Sequence, residues 1–191
     1  RQTKRHNKKE SLIFFSIDFT RVNKEGPMKK EGYMQLIEKV GENLNDFLYS
    51  SDERYRRDLV DTLGWTPLQA KRLACWDWTH GIGLYGIFKL YQFTKDETNL
   101  DYIEAWLKDR MEIGLPEKNV NTVAPLLTMA CVYEFRPRKE YEEIMREWAE
   151  WIMNDMKRTM EGGIQHSHAE LENDQSLWDD TLMMTVLFLA K

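Results

Sequence analysis

Four pairs of large apolar residues recur at a single spacing in this chain. Tyr91 and Tyr133, Phe93 and Phe135, Trp106 and Trp148, and Met111 and Met153 are each 42 residues apart. A fixed offset shared by bulky side chains marks a duplicated structural unit, and the period is that of a helical hairpin. From Tyr33 onward apolar residues also return at helical spacing, while the 5 Pro and 10 Gly fall mostly between the periodic segments. The expected class is therefore all-α, with helices over about 33–50, 76–94, 97–112, 121–135, 138–159 and 179–191. The stretches Thr94–Thr98 and Arg136–Arg138 are short and polar, so the helices they join should run antiparallel.

Composition removes several functions. Lysine and arginine number 27 against 32 acidic residues, a net charge of −5, which argues against a surface built to track nucleic-acid phosphates. No run approaches the roughly 18–20 apolar residues that span a bilayer. The only cysteines, Cys75 and Cys131, make neither a disulfide framework nor a metal quartet, and a reducing, cytoplasmic setting is expected. Residues 1–32 imitate a signal peptide, but Asp18 interrupts the apolar run and no small-residue cleavage site follows. They are read as an extension without assigned function ahead of a helical domain at 33–191.

Repeated hairpins build either an open solenoid or a ring of inner and outer helices, and polarity at the starts of the inner helices distinguishes them. The first is preceded by Cys75-Trp76-Asp77-Trp78-Thr79-His80-Gly81, the second by Asn119-Val120-Asn121-Thr122, and the third by Asp174 to Thr181. Successive inner helices point the same way, so these clusters should meet at one end. Carboxylates and amides beside indoles suit a sugar, whose C–H face lies on the aromatic ring while its hydroxyls take hydrogen bonds.

Each residue also has a plainer reading. Asp179 or Asp180 alone would be a helix cap, although a doubled Asp leaves one carboxylate available for chemistry. Asn119 and Asn121 sit where Asn is preferred as a cap. Trp76 and Trp78, two apart, cannot share a helical face, so at least one should point away from the core. His166 and His168 follow Gly162-Gly163 in a loop without a third metal ligand nearby, so no metal is expected. The ten Met residues are most simply core, and no phosphate loop or serine elbow is present.

Four strings together resemble glycoside hydrolase family 105, the unsaturated rhamnogalacturonyl hydrolases. They are Trp-Asp-Trp-Thr-His-Gly-Ile-Gly-Leu-Tyr-Gly from Trp76 to Gly86, Asn-Val-Asn-Thr-Val-Ala-Pro-Leu-Leu from Asn119, Glu-Gly-Gly-Ile-Gln-His from Glu161, and Gln-Ser-Leu-Trp-Asp-Asp-Thr-Leu-Met-Met-Thr-Val from Gln175. The resemblance runs from about Met34 to Lys191, and the related unsaturated glucuronyl hydrolases are the nearest other family. It implies an (α/α)6 barrel that needs no cofactor and removes a 4,5-unsaturated galacturonyl residue from short pectin fragments. It also implies hydration of the C4=C5 double bond by an Asp, in place of displacement at the glycosidic carbon. By motif position that Asp is Asp180. Trp78, His80, Gln165, His166 and Trp178 are implied walls of the sugar site, and Asn121 falls where relatives can carry a second acid. An amide there binds a sugar without exchanging a proton.

Six helical segments are half of the twelve such a barrel needs, so the expectation is its N-terminal half, with apolar edges open to self-association. Two other readings stay beside this one: a helical-hairpin interaction scaffold, and another toroid enzyme acting on ordinary sugars.

Overall fold

A computed structural model describes residues 29–49, 53–168 and 173–191. The chain divides into two compact units, Arg1–Val40 and Gly41–Lys191. In the first, the described residues are the beginning of helix α1 (Lys30–Tyr49). The extension expected at 1–32 lies outside the described residues except at its end, where α1 starts at Lys30 rather than at 33.

The second unit holds the end of α1, then α2 (Glu53–Leu63), α3 (Pro67–Ala74), α4 (Trp78–Thr94), α5 (Thr98–Ile113), α6 (Val120–Tyr133) and α7 (Lys139–Asn154). A π-helical turn, Leu182–Val186, then runs into the short α8 (Leu187–Leu189). The expected all-helical class holds among the described residues, where a single isolated bridge between Arg158 and Ile164 is the extended pairing present. Two helices were not expected. In α3, Thr66 caps the first turn and receives the Gln69 side chain in return, with Pro67 at the first helical position where its missing N–H costs nothing. In α2, Leu59 is buried and packs with Ala70 and Leu73 of α3.

The repeat is real in three dimensions. Helices α4 and α5 make one hairpin and α6 and α7 the next, and Trp106 and Trp148 occupy equivalent, fully buried positions on the two outer helices. Each outer helix is amphipathic in the way its spacing requires. Leu100, Ile103, Trp106 and Leu107 face inward on α5, as do Tyr141, Trp148 and Ile152 on α7. Helix α6 is apolar on all sides and is buried from Thr122 to Val132, as expected of a helix enclosed by neighbours. It packs on α4, α5, α7 and the π-turn.

One end of the hairpins is held by charge. Arg136, in the α6–α7 turn, donates to Asp101 and Glu104 from Nη1 and to Glu97 from Nη2 at 2.5–2.7 Å, and Arg138 donates to Glu104 at 2.6 Å. The cluster fastens that turn to the start of α5.

The other end depends on one glycine. A Cβ on Gly81 would lie 2.6 Å from the Ala124 carbonyl carbon and 2.7 Å from the Pro125 nitrogen, so the N-terminal turns of α4 and α6 meet backbone to backbone. Backbone atoms cannot swing aside as a side-chain tip can. Gly81→Ala is expected to cost about 1–3 kcal/mol through overpacking. Gly86→Ala in the same helix, where the added methyl meets nothing within 4 Å, should be neutral or stabilising. Thermal unfolding midpoints of the two variants check both signs.

Candidate active site

The first polar cluster meets the second directly, and the third is joined to the second. Helix α4 starts at Asp77, whose Oδ1 accepts from the Trp78 N–H at 2.8 Å, and the preceding Trp76 is buried with its Nε1 donating to the Thr122 carbonyl at 2.9 Å. Of the two indoles that cannot share a face, Trp76 is the core residue and Trp78 stays 38% exposed. Helix α6 starts at Asn119, whose Oδ1 accepts from the Asn121 and Thr122 N–H groups at 2.9 and 3.2 Å, so Asn119 is a cap. Asn121 is not its own cap: its Oδ1 is buried without a hydrogen-bond partner among the described residues. Four residues on, Pro125 lacks the N–H that the Asn121 carbonyl would otherwise receive.

The third cluster reaches the second through a loop. Helix α7 ends at Asn154, five residues short of the expected 159, because the chain turns at Asp155 and folds back. Thr159 donates to the Gly163 carbonyl at 2.8 Å, and Gly162 takes the left-handed φ of 86° that the turn requires. The returning strand of this loop carries Gln165, His166 and Ser167. The Val120 N–H donates to the Ser167 carbonyl at 3.2 Å, which ties the loop to the start of α6 beside Asn121.

His166 is the centre of the cluster. Its imidazole lies parallel to the Trp178 indole, with centroids 4.2 Å apart and 8° between planes. Its Nδ1 is 2.9 Å from Thr181 Oγ1 and 3.3 Å from Asp180 Oδ1, and the tautomer decides which partner of the Thr181 contact donates. Burial lowers the His166 pKa, Asp180 partly opposes that, and His168 adds to the lowering, so the imidazole is neutral near neutral pH. Among the described residues no backbone N–H donates to Asp180 Oδ1, which is buried, while the side chain as a whole is 42% exposed. The cap reading therefore does not account for Asp180. Two residues before it, Trp178 stacks on His166 and leaves nearly half its surface open.

Two expected sugar walls are turned inward. Gln165 is 3% exposed, donates from Nε2 to Ser167 Oγ at 2.9 Å and accepts the Gln175 N–H at 3.1 Å. His80 is 5% exposed and completes the α4 capping box by accepting the Asp77 N–H at 3.4 Å, with its ring between Phe47 and Trp106 at 5.3 and 5.9 Å. None of these His80 partners belongs to the His166 loop. Burial first, and then the nearby Arg110, push its pKa down to about 4. Its folded pKa is depressed below that of the unfolded chain, so the unfolded state binds more protons as pH falls. The stability from neutral His80 is complete above about pH 6.5 and is lost as pH drops toward 4, on the order of 3 kcal/mol in all. His80→Gln, which keeps an acceptor for Asp77, should flatten this part of a stability-against-pH curve measured by urea unfolding.

Thr181 was not singled out from sequence, yet it is buried against His166 Nδ1; its signal was its place directly after Asp180 in the quoted string. No group of three metal-ligating side chains comes together among the described residues, and no helix there is long and apolar enough to cross a membrane.

Inner helices that meet start to start in a helical-hairpin array, with a carboxylate, an imidazole and an open indole on the segments tied to the start of α6, make up the candidate site. The model of Glycosyl Hydrolase Family 88 matches residues 56–191, and the chain belongs to that family. It is 31% identical over 118 residues to the unsaturated rhamnogalacturonyl hydrolase YesR of Bacillus subtilis, a match that covers 61% of this chain and 34% of YesR. A solved structure from Salmonella enterica, described as a possible member of the GH105 family, aligns with a TM-score of 0.72 at 40% identity, covering 87% of this chain and 43% of that one. A second, from Klebsiella pneumoniae and described the same way, aligns at 0.59 with 52% identity, covering 60% and 30%. The family 105 resemblance drawn from the motifs and the (α/α)6 hairpin architecture both stand. The chain spans about a third of the length of YesR and 30–43% of the two solved relatives.

Proposed function

We propose that this chain carries the proton-transferring half of an unsaturated rhamnogalacturonyl hydrolase site. The observation that supports it is the juxtaposition of a half-exposed Asp180 with buried, neutral His166 and the open face of Trp178. In this reading the unsaturated galacturonyl ring lies on the exposed face of Trp178, and Trp78 and Asn121 border it from the starts of α4 and α6. Asp180 in its acid form protonates C4. The resulting carboxylate takes a proton from the water that adds at C5, which restores the acid. The hemiketal at C5 opens and expels the partner sugar. His166 neighbours the carboxylate through Nδ1, 3.3 Å from Asp180 Oδ1. The substrate is a short rhamnogalacturonan fragment in a cytoplasmic setting, in keeping with the buried, unpaired Cys75 and Cys131.

Turnover in D2O tests the protonation at C4. Hydration places deuterium on C4 of the released uronate. Release of the partner sugar with C4 undeuterated would remove the proposal.

A second reading is favoured by the apolar edge of the last helix, where Leu182, Val186 and Leu187 are 39–60% exposed, and by a groove of about 540 Å³ lined by Met145, Ala149 and Phe188. Such surfaces suit self-association or a scaffold role. Sedimentation of the chain alone separates the two: a stable assembly unaffected by Asp180→Asn, with no uronate bound, would favour the scaffold.

A further inference from the structure

Two glutamines near the site make bonds that the reaction itself does not call for. The Met160 N–H donates to Gln175 Oε1 at 2.7 Å, and the Gln175 N–H donates to Gln165 Oε1 at 3.1 Å. Each glutamine thus offers its side-chain oxygen to a backbone N–H on the opposite segment. Between them, the His166 N–H donates to the Ser176 carbonyl at 2.9 Å. The loop from Met160 to His166 is in this way laced to the segment that immediately precedes Trp178.

The backbone is bent to make this possible. Asn173 and Gln175 both hold left-handed φ angles, 48° and 55°, which cost a residue bearing a Cβ and persist where surrounding bonds over-determine them. At Gln175 those bonds are the side-chain bond to Met160 and the backbone bond to Gln165. Gln165 is buried and has its oxygen and its nitrogen both engaged within the protein, so it has little left to offer a sugar. Two residues beyond Ser176, the Trp178 indole comes back over the imidazole. A histidine ring on an untethered loop would sample several rotamers. This one sits 8° from parallel, with its Nδ1 toward Asp180 and Thr181.

We propose that Gln165 and Gln175 form a reciprocal clasp that sets His166 face to face with Trp178 and directs its Nδ1 to Asp180, making Gln165 a positioning residue and not a sugar contact. What the aligned imidazole serves rests on the hydrolase reading above; the alignment itself does not. It is tested on this chain without substrate, through the ring-proton resonances of His166, identified by their loss in His166→Asn. Stacking on the indole moves these resonances upfield.

Gln165→Leu, which keeps the bulk and removes both polar ends, is expected to lose that upfield shift. Gln175→Gly is expected to lose it too, because it keeps the left-handed turn but removes the acceptor for Met160. Gln165→Glu retains an acceptor oxygen for the Gln175 N–H and should keep most of the shift. The unfolding midpoint of Gln175→Gly, a change at an exposed residue, should stay close to that of the parent, so it decides the matter if Gln165→Leu fails to fold. An unchanged His166 shift in Gln175→Gly, or a loss in Gln165→Glu as complete as in Gln165→Leu, would overturn the clasp. Failure of the hydrolase reading has a different signature: unaltered turnover in Asp180→Asn with the His166 shift intact.

Discussion

Asp180→Asn, made in a version extended to full barrel length, is expected to lower turnover of an unsaturated galacturonyl-rhamnose disaccharide by about 10²–10⁴-fold, the usual contribution of a positioned acid–base group. The amide keeps the size of the carboxyl and can still meet His166 Nδ1, so KM should change far less than kcat. The contrast is Asp179→Asn. Asp179 is exposed, and its known bond is made by its backbone carbonyl, which accepts the Leu182 N–H at 3.1 Å. Its substitution should leave turnover within a few-fold of the parent. Equal losses in the two variants would mean that the paired acids act through local structure and not through Asp180. Initial rates of absorbance loss, with circular dichroism to confirm the fold, make the comparison.

The largest stability effect is expected at Trp106. This side chain is fully buried, packs 5.5 Å from Trp76 between ring centroids, and donates from Nε1 to the Leu48 carbonyl at 2.9 Å. Trp106→Ala leaves a cavity at the junction of α1, α4 and α5 and removes that donor. Removing a buried Trp costs about 3–5 kcal/mol, a large share of the roughly 5–15 kcal/mol that holds a typical domain together. Arg110 Nη2 also reaches the Leu48 carbonyl, at 3.2 Å, so the oxygen is not left bare and the cavity dominates the loss. Trp106→Phe retains most of the packing and should cost about half as much or less. Urea unfolding followed by circular dichroism reads both; equal losses in the two variants would assign the effect to the hydrogen bond instead.

The residues that could be read from sequence are those whose role is set by local spacing. Helices α4 to α7 follow from their apolar period, and the 42-residue offset correctly pairs Trp106 with Trp148 because each hairpin buries the same stripe. The end of α7 misleads because Met156, buried four residues after Ile152, continues the helical pattern after the chain has turned. The π-turn at Leu182–Val186 inserts an extra residue that an i, i+4 reading cannot reveal. Helix α2 was hidden by its charge, since one deeply buried leucine in eleven residues gives a weak stripe. In α3 the signal was present, a Thr66-Pro67 start with Gln69 three residues after the cap, but the helix is only eight residues long.

The site divides along the same line. Asp180, Trp178 and His166 belong to strings specific enough to resemble one family, and the fold brings all three into contact. His80 and Gln165 belong to the same strings yet face inward, because a residue in a motif can serve the cap or the loop as easily as the ligand. Which of these it does depends on tertiary neighbours such as Phe47, Trp106 and Gln175, which lie far along the chain or across a loop.

The most direct test of the account is the ultraviolet absorbance of an unsaturated galacturonyl-rhamnose disaccharide, whose conjugated double bond is consumed by hydration. It is followed with this chain, with the version extended to full barrel length, and with that version carrying Asp180→Asn. The account predicts loss of absorbance with the extended chain and none with its Asp180→Asn form. A folded, extended chain that leaves the band unchanged, or an Asp180→Asn form that bleaches it at the parent rate, would contradict it.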